Sequence, residues 1–165
     1  MLPVQGGDQG EDKEMSGVKT RTLVFSVFAL SVALAAVSLA QAKTPRPVKF
    51  SAALNVGQER PHPTGAKLGA AGRFTATLNG TTLTWRLTFS HLSGPATAAH
   101  IHMGARGVSG PVLIPLCGPC TSPVTGTTPV TAGQIADLKA RKLYVNVHTS
   151  RNPGGEIRGQ ISRAL

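Results

Sequence analysis

Acidic side chains are scarce in this 165-residue sequence. Asp and Glu number seven, and four of them (Asp8, Glu11, Asp12, Glu14) precede Met15, leaving Glu59, Asp137 and Glu156 in all that follows. That scarcity argues against glycoside hydrolysis, which usually needs a facing pair of carboxylates, and against an oxygen-rich calcium cage. Aromatic residues make up 4% of the chain, so the interleaved aromatics on which single-stranded nucleic acids stack are missing. There is no G-x-S-x-G elbow for a serine nucleophile, and Asp137 falls on an expected helix rather than behind a histidine. No internal repeat is present.

One long apolar run is present, from Leu23 to Ala40, with Lys19 and Arg21 ahead of it and Ala40-Gln41-Ala42 behind. This is the pattern of a secretory signal, with cleavage expected after Ala42 and the true start expected at Met15. The run is nearly long enough to span a bilayer, so an uncleaved anchor is the alternative, which the small residues around Ala42 disfavour. No Cys follows closely, so no lipoprotein anchor is indicated. The expectation is a secreted or periplasmic protein with no stable transmembrane anchor after cleavage. Beyond Ala42 the three carboxylates face fourteen Lys and Arg, a balance that attracts anions. Nucleic acid is not expected for an exported domain. An anionic envelope polysaccharide, phospholipid headgroups or an extracellular protein are the expected partners, against the plainer reading that the charge serves solubility.

Residues 43–47 read as a proline-broken linker and 48–162 as one domain. Val48 to Val56 alternates, with Val48, Phe50, Ala52, Leu54 and Val56 on one face, which predicts a half-buried strand. A strand carrying Phe74, Ala76 and Leu78 meets one carrying Leu83, Trp85, Leu87 and Phe89 through an Asn79-Gly80 hairpin signal. Further strands are expected at the histidine stretch, at Pro111 to Leu116, at Leu143 to Thr149 and at Glu156 to Ser162, with a Pro/Thr/Gly-rich loop from Cys117 to Pro129. Thr131 and Gln134 have capping-box spacing and open a helix of about three turns. Short strands joined by turns, with one short helix, predict an all-β sandwich or barrel.

The chemistry-bearing stretch is Ala98 to Gly104. Alternate side chains of a strand share a face, so His100 and His102 point together while Ile101 points into the opposite layer. His148, on the strand Tyr144 to His148, is a third candidate, and three imidazoles suit Zn(II) or Cu(II). The competing reading is a metal-free polar network in which Asn146, Asn152 and Glu156 satisfy the rings. Glu156 and Arg158 share a face of the last strand and are candidates for an ion pair or a binding role. Cys117-Gly118-Pro119-Cys120 spells the thioredoxin motif, but Thr121-Ser122-Pro123 cannot continue a helix well. A local disulfide is therefore expected, with a thiol-disulfide oxidoreductase as the weaker alternative.

The segments AHIHMGARGVSGPV (Ala99 to Val112) and LYVNVHTSRNPGGEIRGQI (Leu143 to Ile161) resemble the two signatures of the CHRD domain, and FSAALNVGQERPHP (Phe50 to Pro63) resembles its opening strand and loop. The likeness covers about Val48 to Ile161. It implies an immunoglobulin-like β-barrel, distantly similar to the copper/zinc superoxide dismutases, and a secreted module of binding or structural role. Through that distant similarity His100, His102 and His148 would stand for three copper ligands, and Arg158 near an anion-guiding arginine. The second metal site of the dismutases is not expected, because no histidine and no aspartate follows His102 until Asp137, apart from which only His62 and His91 remain as fourth-ligand candidates. The enzymatic alternative is a mononuclear, dismutase-like copper or zinc protein.

Overall fold

The computed structural model describes residues 46–164. The expected signal segment, its cleavage site and Met15 lie outside the described residues. Nine strands and one helix run in the order β1 (Val48–Asn55), β2 (Ala71–Asn79), β3 (Thr82–Ser90), β4 (Ala96–Met103), β5 (Val112–Cys117), β6 (Val124–Pro129), α1 (Ala132–Lys139), β7 (Leu143–Thr149), β8 (Ile157–Gln160) and β9 (Ser162–Arg163). All strand pairs are antiparallel. The order across the sheet is β5-β4-β7-β8-β1-β2-β3-β6, with β9 also on β1. Two halves result, β1-β2-β3-β6 and β5-β4-β7-β8, curling into a nearly closed barrel.

The predicted alternations set its inner face. Phe50, Ala52 and Leu54, Phe74, Ala76 and Leu78, and Leu83, Trp85 and Leu87 are all buried, and Ile101, Val145, Val147 and Ile157 meet them from the other half. Each large apolar side chain so withdrawn from water contributes about 1.5–3 kcal/mol. Val48 and Phe89, at strand ends, are only half-buried.

The barrel's two unpaired edges are the consecutive strands β5 and β6. The loop between them holds the seam. Cys120 donates its N–H to Ala96 O at 3.1 Å, and the Phe89 N–H reaches Ser122 Oγ at 2.8 Å. Cys117 and Cys120 are joined as a disulfide within this loop.

Several local expectations need correction. Val124 to Pro129 is a strand paired with β3 along Thr82 to Leu87, although its Thr, Gly and Pro content reads as loop. Thr125 and Thr127 alternate on the exposed face, and Gly126 between them is a close-approach position, since a Cβ there would stand 2.3 Å from the Trp85 ring. Val56 begins a 3-10 turn, Val56–Gln58, instead of ending β1. The expected final strand is interrupted at Ile161, which sits buried with its N–H on Leu143 O at 2.9 Å. The helix has its capping box, with both Thr131 and Gln134 bonds present, but is eight residues long and so little over two turns. The hairpin loop is Gly80–Thr81, with Asn79 still paired to Thr82.

Candidate functional site

The two faces of the β4-β7 pair are used differently. Strand β7 is buried along its whole length. Leu143, Val145 and Val147 enter the barrel, whereas Tyr144, Asn146 and His148 face outward beneath a cover of loops. That cover is tied down by polar contacts: the Ser109 hydroxyl donates to Arg60 O, Arg158 Nη2 to Ala105 O at 2.8 Å, and Gly104 N–H to Lys142 O at 2.7 Å. The result is a second, polar layer outside the barrel wall.

In this layer β4 and β7 bring the three histidines together. His100 is opposite Asn146, and His148 opposite Ala98, in the β4-β7 register. One ring nitrogen from each of His100, His102 and His148 lies within 4.8 Å of the others. His102 and His148 are 7% and 8% exposed, and His100 is half-buried, so the cluster opens toward solvent on the His100 side. His62 and His91 take no part: both are exposed, His62 beside Arg60 Nη1 and His91 beside Ser90 Oγ.

Hydrogen bonds set the ring tautomers. His102 Nδ1 lies 2.9 Å from Gly110 O, and His148 Nδ1 lies 2.9 Å from Pro153 O. A carbonyl only accepts, so each Nδ1 must carry its proton and each Nε2 of the neutral ring keeps a lone pair. His148 Nε2 faces His100 Nδ1 at 3.0 Å, whereas His102 Nε2 is buried with no partner. Burial depresses the pKa of His100 and of His148, and the neighbouring histidines add to the depression; for His148 the Pro153 carbonyl opposes it. Both rings are thereby biased to the neutral, ligating form.

The expected partners of these rings are elsewhere. No side chain of Asn146, Asn152 or Glu156 bonds a histidine. Glu156, fully buried, instead accepts from Ser93 N–H at 2.6 Å, Thr149 Oγ1 at 2.7 Å, Asn152 Nδ2 at 3.0 Å and the Ser93 hydroxyl. Burial pushes its pKa up, and the bonds from Ser93, Thr149 and Asn152 together pull it below the ordinary value. Nor do Glu156 and Arg158 form an ion pair. Arg158, 1% exposed, lies with its guanidinium carbon 3.4 Å from the centre of the Tyr144 ring. Tyr144 stacks on His102 with ring centres 4.9 Å apart and an interplanar angle of 11°. Imidazole, phenol and guanidinium thus form one stack. Glu59 is buried nearby, its pKa raised by burial against the opposing pull of the Arg60 N–H and the Arg158 charge.

Sequence reasoning missed Tyr144 and Glu59 in this layer. Tyr144 was accessible to it, because it shares the period-two face of Asn146 and His148. The Gly110 and Pro153 carbonyls had no sequence signal, since any residue supplies a carbonyl. The thiol motif also takes a definite place: Cys117 ends a strand, and no helix follows it to lower a thiolate's pKa.

An all-β, nearly closed antiparallel barrel with one short helix and a loop-covered histidine layer on one outer face defines the class of this domain. The CHRD domain family model matches residues 50–161, and the chain belongs to that family. No curated protein and no solved structure matches it.

Proposed function

We propose that this chain is an exported CHRD module of binding role, without catalysis of its own, whose partner is an anionic polysaccharide of the cell envelope. The observation that carries this reading is the fate of the three carboxylates. Glu59 and Glu156 are 1% and 0% exposed, and Asp137 is held 3.9 Å from Lys142 Nζ. The described surface therefore presents cations with almost no counter-charge of its own, and its complement is an anion. The test is binding of the exported, signal-free protein to immobilised polyuronate and to neutral dextran at low and high salt. Retention on polyuronate alone, released by salt, supports the reading; equal behaviour on both matrices would sink it.

A second reading is favoured by one specific observation, the buried and partnerless His102 Nε2. In it, His100, His102 and His148 hold a single copper or zinc ion. The donor set fits: two of three rings are oriented by carbonyls through the nitrogen that would not ligate, the usual arrangement behind metal-bound histidines. Their ligand nitrogens all lie within 4.8 Å of one another, and His148 Nε2 already stands 3.0 Å from His100 Nδ1. Copper would supply one-electron chemistry of the dismutase kind at the solvent side, and zinc would not. Metal content by mass spectrometry, on protein purified without chelator or nickel, decides it. About one ion per chain, lost in His100→Ala/His102→Ala, is the expected result, and a metal-free protein that takes up neither ion refutes it.

A further inference from the structure

The outer face of the other half of the barrel is built differently from the histidine face. No loop covers it. On β1, β2 and β3 the outward residues include Lys49, Arg73 and Arg86, all exposed. Among the described residues no ion pair or side-chain hydrogen bond ties these three cations down. The registers place Lys49 opposite Thr77, Ser51 opposite Thr75, and Arg73 opposite Thr88, with Arg86 opposite Thr75 on the far side. Arg73 and Arg86 are thus diagonal neighbours on adjacent strands, roughly 7–8 Å apart at the backbone. The three charges form a triangle around Thr75.

Like charges so placed repel, and neighbouring positions offer no carboxylate to offset them. Protection of a sheet edge, the common reason for cations on strands, does not apply: β2 and β3 are each paired on both sides. Hydroxyls fill the positions between the cations. Ser51, Thr75, Thr77, Thr84 and Thr125 surround a shallow depression of about 360 Å³ that the three cations also line. Strand spacing repeats these hydroxyls at about 4.8 Å across the sheet.

We infer that this face, centred on Thr75 and bounded by Lys49, Arg73 and Arg86, is the docking surface for a linear anionic polysaccharide. It rests on the anion-binding reading above and names its site. Arginine forks match carboxylates in two-point contacts, and the threonine rows offer donors and acceptors to sugar hydroxyls. A bare polyphosphate can accept from these hydroxyls but has no donor for their oxygens, whereas sugar hydroxyls pair with both, so the glycan is the better complement.

The experiment compares three proteins, the wild type, Arg73→Gln/Arg86→Gln and Lys67→Gln/Lys139→Gln, for binding to polygalacturonate, inorganic polyphosphate and dextran across a salt series. The second pair removes the same charge from exposed positions off this face. Expected is a loss of at least tenfold in polygalacturonate affinity for Arg73→Gln/Arg86→Gln, with a shallower salt dependence and an unfolding midpoint no lower than that of the wild type, and a change within about twofold for the Lys67/Lys139 pair. Equal losses in both pairs, or none in the first, would overturn the site while leaving anion binding standing. Tighter binding of polyphosphate than of polygalacturonate through the same arginines would overturn the glycan assignment. Failure of the wild type to bind any anion would remove the underlying reading itself.

Discussion

At the scale of single residues, Glu156 ties the loop at Ser93 to the end of β7 and the turn that follows it. It is a buried carboxylate whose oxygens accept from Ser93, Thr149 and Asn152, and these bonds hold its folded pKa below the ordinary value of 4.5. A depressed carboxylate contributes stability that is fully present above its unfolded pKa and is lost as pH falls through the folded one. The domain should therefore weaken as pH drops below about 4.5. Glu156→Gln replaces an acceptor with a donor facing donors, and is expected to cost about 2–3 kcal/mol at neutral pH and to flatten the acid limb. Urea unfolding from pH 7 to pH 3 measures both. His102 gives the second prediction. If the rings ligate, zinc or copper at a hundredfold excess over Kd raises stability by about 2.7 kcal/mol, seen as a higher unfolding midpoint, and His102→Ala abolishes the rise. Histidine geometry was legible at this scale because alternation places His100 and His102 together. Their hydrogen-bond partners were not, since they are main-chain carbonyls of Gly110 and Pro153.

At the scale of elements, β6 and the loop before it decide how well the barrel closes. Gly126 lies flat on Trp85, and a Cβ would come within 2.3 Å of the indole. Gly126→Ala is expected to destabilise by about 1–3 kcal/mol through overpacking. Trp85 fluorescence, with denaturant titration, reads both the local shift and the loss. The disulfide spans a short loop, so Cys117→Ser/Cys120→Ser is expected to cost no more than about 2 kcal/mol by thermal unfolding. A redox role would instead require the pair to exchange with an external dithiol at mild potential. Helix α1 was legible to its capping box because the cap is a local interaction between Thr131 and Gln134. Strand β6 was not, because Thr-Gly-Thr-Thr-Pro acquires strand character only by lying against β3.

At the scale of the whole domain, charge segregation is the organising feature. One outer face buries a polar layer under loops, and the opposite one displays cations and hydroxyls in rows. A surface so short of carboxylates repels itself, so screening should help the fold. Raising sodium chloride from low to physiological ionic strength is expected to increase stability by about 1 kcal/mol or less, measured as a rise in the unfolding midpoint. A fall would place the repulsion elsewhere than in the native surface.

The amino-acid sequence by itself determined the all-β class, the inward sets of β1, β2 and β3, the helix cap and the family, because these follow from residue order: period-two alternation, spacing of caps and unusual local motifs. It also placed two histidines on one face. Only the tertiary structure decided that His148 joins them, that Glu156 serves Ser93 and Thr149 rather than Arg158, and that Arg158 stacks on Tyr144. His148 meets His100 and His102 through the β4-β7 register, Arg158 meets Tyr144 through the β7-β8 register, and Glu156 meets Ser93 across 63 residues of chain. Register depends on how the whole barrel packs, and no local pattern encodes it.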